Sequence, residues 1–144
     1  MLSRREAALQ ALLSVITNIS GVTVERESAI PEKVPAGGLV VLRDGDPGKP
    51  EITLSPVTYH YDHVARLDVV VQDGKSSARA MALDALLIKI GLALAVDRTL
   101  GGTCEWAAWE APVAEDIPVQ GGAPLKAASV AVTLSYSTSD PLNR

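Results

Sequence analysis

The stretch VTYHYDHVARLDVVVQ, residues 57–72, alternates between apolar and polar side chains over most of its length. Side chains at every second position of a strand share one face. One face would hold Tyr59, Tyr61, Ala65, Leu67, Val69 and Val71. The opposite face would hold His60, Asp62, Arg66 and Asp68. The pattern therefore predicts one long strand with a buried face and a solvated face, which is typical of antiparallel sheets.

Shorter strands are predicted on both sides of this long one. We expect them at residues 22–27, 39–43, 52–55, 104–110 and 126–138. The intervening segments 30–38, 44–50 and 112–122 contain Pro and Gly, which favour turns and loops. Segment 44–50 also contains two Asp residues, so it predicts a hairpin turn between antiparallel neighbours.

The first of two predicted helices covers residues 3–19. Its apolar side chains recur every three or four positions, at Leu9, Leu12, Leu13, Ile16 and Ile19. Ser3 is the predicted N-cap, and Glu6 stands three residues later as in a capping box. We therefore interpret the start of the chain as a helix of the mature protein rather than a signal peptide.

The second predicted helix covers residues 77–96, with Ser76 or Ser77 as its N-cap. Its expected core face consists of Leu83, Leu86, Leu87, Ile90 and Leu94. Three further apolar residues lie partly around the side, namely Ile88, Leu92 and Ala95. Either the rest of the domain covers this second patch, or the patch is a contact between subunits.

The two tryptophans, Trp106 and Trp109, are also candidates for an interface. They lie three residues apart on a predicted strand and should point to opposite faces. The core accounts for one of them, so at least one is expected to be exposed or in a contact. The predicted subunit or partner interface therefore consists of Ile88, Leu92, Ala95, Trp106 and Trp109.

The order of elements predicts an α+β fold, with a mainly antiparallel sheet and both helices packed on one face. We expect the 144 residues to form a single domain, since 47% are hydrophobic and 21% charged, as in ordinary globular proteins. The net charge of −4 makes nucleic acid an unfavourable primary partner. The longest apolar run, residues 85–96, is too short to span a membrane, which takes at least about 17 residues.

Residues 60–63, His-Tyr-Asp-His, contain the side chains of a metal site. Residues three apart on a strand point to opposite faces, so His60 and His63 are not expected to share a metal ion. Cys104, the only cysteine, is predicted to be a buried, inert thiol. We predict no catalytic residue, metal or cofactor, although a small enzyme using His60 or His63 and a ligand-binding module remain alternatives.

Two motifs in the second half of the chain carry a family resemblance. D-x-T-L-G-G occupies residues 97–102, after the second helix, and V-x-V-x-L-x-Y-x-T-x-D-P occupies residues 130–141 in the last strand. With residues 61–72 and the helix sequence ARAMALDALLIKIGLAL, these segments resemble the tail terminator and related tail-completion proteins of long-tailed bacteriophages, prophages and gene transfer agents.

The resemblance implies a structural protein of the virion or phage-like particle, made in the bacterial cytoplasm. Such proteins form a ring, typically a hexamer, on the head-proximal end of the tail tube. The ring stops tube polymerisation and joins the tail to the head connector, and DNA passes through its lumen without specific binding. The implied partners are the tail tube protein and a head-closure or connector protein, which segments 32–38, 44–50 and 112–122 could contact. Another neck protein, for head closure or tail completion, is the alternative.

Overall fold

The computed structural model describes residues 1–143, and within them it contains two helices and seven strands. The elements are α1 (Arg4–Thr17), β1 (Thr23–Arg26), β2 (Leu39–Asp46), β3 (Glu51–Thr53), β4 (Thr58–Gln72), α2 (Ser76–Ala95), β5 (Trp106–Trp109), β6 (Val113–Ile117) and β7 (Leu125–Thr138). This architecture confirms the predicted α+β class.

The strands form one sheet whose central pair is β4 and β7. The main strand order is β1-β2-β4-β7-β5, while β3 pairs with the start of β4 and β6 with the start of β7. All of these pairings are antiparallel except the parallel pair β1 and β2. The predicted long strand and the mainly antiparallel sheet are therefore confirmed.

The hairpin turn predicted at residues 44–50 is wrong, because β2 continues to Asp46 and both β2 and β3 pair with β4 instead of with each other. Two further details of the strand prediction are wrong. Residues 112–122 were expected to be a loop, but they include β6, whose pairing with β7 supplies backbone partners that the local sequence does not reveal. The strand expected at residues 104–110 is limited to β5, because residues 97–104 fold into a compact turn before it. Pairing with a distant strand overrides local turn signals at β6.

The alternation in β4 matches the predicted buried face. Tyr61, Ala65, Leu67, Val69 and Val71 are buried and belong to the main hydrophobic core. This core also includes residues from both helices, namely Ala8, Leu9, Leu12, Ile16, Leu83, Leu86, Ile90 and Leu94. A smaller cluster consists of Val34, Leu39, Val41, Val70, Leu125 and Ala127. The segment containing Val34 thus helps to bury Val70, which the alternation alone does not predict.

The two helix starts differ from each other. The Ser3 hydroxyl accepts a hydrogen bond from the Glu6 amide at 3.1 Å, which confirms Ser3 as the N-cap of α1. The N-cap of α2 is Lys75, so the prediction of Ser76 or Ser77 is wrong. The Asp73 carboxylate accepts from the Lys75 amide at 2.9 Å, and this turn starts the helix one residue earlier.

Arg79 and Asp116 connect the first turns of α2 to β6. The Arg79 side chain is buried, its Nη1 donates to the Asp73 carbonyl at 2.9 Å, and its Nε lies 3.6 Å from an Asp116 carboxylate oxygen. Lys126 lies 3.9 Å from the same oxygen. Asp116 is therefore part of an ion-pair cluster, although the sequence alone places it only in the loop predicted at residues 112–122.

A second polar network joins α1 to the edge of the sheet. The Arg26 guanidinium donates to both carboxylate oxygens of Glu6, at 2.7 and 2.9 Å, and to both of Asp44, at 2.7 and 2.8 Å. The Glu6 side chain is committed to this pairing and does not complete a capping box. Bidentate contacts between arginine and carboxylates are among the strong hydrogen bonds of proteins.

The same network reaches the centre of the sheet through His63. The His63 ring is 1% exposed, and its Nε2–H donates to the Asp44 carbonyl, because a carbonyl oxygen only accepts. Its Nδ1 lies 3.0 Å from the hydroxyl of Tyr136 on β7. Burial raises the pKa of Tyr136 to about 12. The structure therefore gives His63 a role in holding strands together.

Glu6 gives this network a measurable pH dependence. The hydrogen bonds from Arg26 lower the pKa of Glu6 from 4.5 to about 2, so the folded state favours the ionised carboxylate. Because its pKa is lowered, the Glu6 carboxylate stabilises the folded state above pH 4.5. This contribution to the free energy of unfolding is lost as the pH falls from 4.5 through 2.

We predict that Glu6→Gln lowers the free energy of unfolding by about 1–2 kcal/mol at pH 7. Between pH 5 and pH 2 the variant should lose less stability than the wild type, because it lacks the carboxylate that becomes protonated. Urea unfolding at several pH values measures both effects. Glu25→Gln is the control, since Glu25 is an exposed acid on β1. Equal losses in Glu6→Gln and the wild type would contradict the prediction.

Candidate interaction surface

Helix α2 is apolar on two opposite sides. Its buried side is formed by Leu83, Leu86, Ile90 and Leu94. Met81, Ile88, Leu92 and Val96 are 74%, 55%, 66% and 85% exposed. Successive helical residues are rotated by about 100°, which places this second set roughly opposite the buried set. We call Met81, Ile88, Leu92 and Val96 the outer stripe.

The exposure of the outer stripe excludes one of the two interpretations of this patch that the sequence left open. Ile88 and Leu92 lie in its middle, and Ala95 is exposed beside it. The described residues of the chain do not cover this patch, so the interpretation that the domain buries it is wrong. Met81 and Val96 were missing from the predicted interface, although their spacing from Ile88 and Leu92 already places them on the same side of the helix.

The rings of both tryptophans contact the same guanidinium group, that of Arg98. Trp106 is 54% exposed, while Trp109 is partly buried against the main core, which confirms that at least one of the pair is exposed. The Arg98 guanidinium carbon lies 4.9 Å from the ring centroid of Trp106 and 4.1 Å from that of Trp109. Both distances are within the range of cation–π attraction.

Arg98 also covers the edge of β5. Its carbonyl accepts from the Ala107 amide at 2.7 Å, and its Nη1 donates to the Ala107 carbonyl at 3.0 Å. Both backbone groups of Ala107 are therefore bonded to one residue. The pairing blocks this part of β5 from adding a further strand, because its donor and acceptor are already used.

The turn that carries the D-x-T-L-G-G motif positions Arg98. The Asp97 carboxylate accepts from the Thr99 amide, the Thr99 hydroxyl and the Gly101 amide, at 2.9, 2.7 and 2.9 Å. These hydrogen bonds, that of the Thr99 hydroxyl first, lower the pKa of Asp97. Gly101 and Gly102 have φ of 71° and 84°, a conformation that favours glycine. In this chain the motif forms a tight turn at the exit of α2.

Cys104 ends this turn and is 6% exposed. Its thiol donates to the Arg98 carbonyl, with the sulfur 3.6 Å from the oxygen. Burial is the main cause that raises the pKa of the Cys104 thiol to about 11, so the thiol is protonated near neutral pH. The predicted buried thiol is confirmed.

The two histidines occupy different environments, as their spacing predicts. His63 is buried, whereas the His60 Nε2 lies 2.9 Å from the Thr53 hydroxyl beside an open groove of about 610 Å³. Asp62, on the His60 side of β4, accepts from the Ser135 hydroxyl at 2.8 Å. Between residues 1 and 143, no group of three or more His, Cys, Asp and Glu residues is placed to hold a metal ion.

The sequence matches no known protein-family model, and none of the curated proteins compared with it gives a match. The resemblance to tail terminators therefore stays a prediction. In the described part of the chain, no helix is long and apolar enough to cross a membrane.

We predict that Arg98→Ala lowers the free energy of unfolding by about 1–2 kcal/mol, because it removes two cation–π contacts and a hydrogen bond. Trp106 and Trp109 are the only tryptophans, so their fluorescence reports the change directly and should shift to longer wavelength. Arg66→Ala is the control, since Arg66 is 55% exposed and pairs with Asp68. An unchanged emission spectrum in Arg98→Ala would show that the guanidinium does not shield the rings.

Proposed function

We propose that this chain is a structural subunit of the tail or neck of a phage-like particle, and that it works by assembling into a ring. The observation that carries the proposal is the outer stripe of α2. Four large apolar side chains on one exposed helix face are unusual for a chain that acts alone. Burial of apolar surface contributes roughly 25 cal/mol per Å², so covering the stripe favours association.

A ring requires contacts between two different surfaces of identical copies. The outer stripe supplies one such surface, and its residues run from Met81 along the helix to the C-cap residue Val96. A helix face that is apolar on the side away from its own core fits a contact that forms after the subunit has folded. The ring size in this proposal, six subunits, comes from the resemblance to tail terminators.

The proposed ring lies at the head-proximal end of the tail tube, where it stops tube polymerisation and joins the tail to the head connector. The two motifs at residues 97–102 and 130–141 support this role through their resemblance to tail terminators.

We predict that Leu92→Asp weakens ring formation at least about 100-fold, because assembly would bury an unpaired carboxylate. The folded subunit should lose less than about 1 kcal/mol, since Leu92 is 66% exposed. Light scattering after size-exclusion chromatography measures assembly, and circular dichroism checks folding. Ala82→Asp is the matched control, because Ala82 is exposed on the same helix but outside the outer stripe. Assembly of Leu92→Asp at wild-type concentrations would contradict the proposal.

The location is tested in particles that contain a tagged copy of the chain. Cryo-electron microscopy should show a ring of density at the head-proximal end of the tail. Replacing the wild type with Leu92→Asp should give overlong tails, while Ala82→Asp should give tails of normal length. Absence of the tagged chain from the particle would overturn the assignment to the tail.

A further inference from the structure

A second exposed apolar surface lies at the N-terminal end of β4. There β3 pairs with the first residues of β4, from Glu51 opposite His60 to Thr53 opposite Thr58. Every residue from 51 to 57 is exposed, so this part of the chain has no core beneath it. We call residues 51–60 the hairpin arm.

The hairpin arm is apolar where it is most exposed. Ile52, Leu54 and Val57 are 54%, 75% and 46% exposed. Only β3 and the turn after it extend beyond the rest of the sheet, because Tyr59 and His60 also pair with Thr138 and Ser137 of β7. Clustered exposed apolar side chains mark an interaction site. The arm therefore has the character of an element that becomes buried when it meets a partner.

The outer stripe of α2 matches the hairpin arm in size and chemistry. Each presents three or four large aliphatic side chains, and they belong to different elements of the fold. Contact between an arm on one copy and a stripe on the next would be heterologous, as a ring requires. A single contact of this kind would cover both apolar surfaces of every copy.

Charged residues beside the two surfaces are also complementary. Asp84 and Lys89 flank the outer stripe, whereas Lys49 and Glu51 stand at the base of the arm. None of these four side chains forms a hydrogen bond or an ion pair with residues 1–143. The helix rises about 7.5 Å between Asp84 and Lys89, and two residues of chain separate Lys49 from Glu51 by at most about 7 Å. Five residues turn the helix by about 140°, so Asp84 and Lys89 lie on opposite flanks of the outer stripe. With the arm lying across the stripe, Lys49 would face Asp84 and Glu51 would face Lys89.

We propose that the hairpin arm of one copy packs on the outer stripe of α2 in the next copy around the ring. Ile52, Leu54 and Val57 cover the stripe, and the charged pairs fix the direction of the arm. This inference rests on the proposed ring and names the segment of the second copy that occupies its interface.

Disulfide crosslinking tests the contact directly. Cys104 is the only cysteine and is buried, so introduced cysteines react with little background. One batch carries Leu54→Cys and the other Leu92→Cys, and the two are mixed and oxidised in air with copper phenanthroline. We expect linked dimers from the mixture and a ladder of linked oligomers from the double variant. Leu54→Cys mixed with Ala82→Cys is the control and should give at least tenfold less dimer.

The other outcomes separate this inference from the proposed function. If Leu92→Cys copies link to one another, α2 packs against α2, and the arm contact is overturned while self-association stands. If light scattering shows a ring but Leu54 and Leu92 do not link, the arm contact is likewise overturned. If the wild-type chain is monomeric and is also absent from particles, both the proposed ring and the arm contact are overturned.

A charge exchange provides a second test. Lys89→Glu should weaken assembly about two- to fivefold, the range expected for one exposed ion pair, because it places two acids together. Adding Glu51→Lys to the same chain should restore assembly, since the pair is then reversed. Measurement of the assembly midpoint by light scattering distinguishes the variants. A double variant that assembles no better than Lys89→Glu would overturn the pairing of Glu51 with Lys89.

Discussion

The pairing of β4 with β7 is the interaction on which the rest of the structure depends. The two strands run antiparallel in unbroken register from Tyr59 opposite Thr138 to Gln72 opposite Leu125. Strand β2 extends the sheet on the side of β4, and β5 and β6 extend it on the side of β7. Because every side chain alternates between faces, this one register decides which residues of both strands enter the core.

The pairing of β4 with β7 also explains why two apolar surfaces stay exposed. One side of helix α2 packs on the strands. No element of the described chain covers the opposite side of its 20 residues. At the other end, β3 and the turn at residues 54–57 extend beyond Tyr59, the first residue of β4 that packs against the core. Exposure of Leu54 and Leu92 therefore follows from the geometry of the sheet, and assembly into a ring would remove it.

Local patterns predicted the parts of this molecule that depend on one segment at a time. The alternation in residues 57–72 and the spacing of Leu83, Leu86, Ile90 and Leu94 were sufficient for β4 and for the core face of α2. The start of α2 was missed by one residue, because the Asp73 carboxylate accepts from the Lys75 amide and forms the turn that precedes the helix. Strand β6 was missed because its partner, β7, supplies the hydrogen bonds that its own sequence does not signal.

The sequence by itself determined the α+β class, the faces of the long strand and the surplus of apolar residues on the second helix, since each is written in the spacing of neighbouring residues. Only the tertiary structure decided that Arg26 joins Glu6 to Asp44, that Arg98 lies over both tryptophans, and that the outer stripe and the hairpin arm are uncovered. Burial and long-range pairing depend on which distant segments pack against a residue. The spacing of residues along the chain does not contain that information.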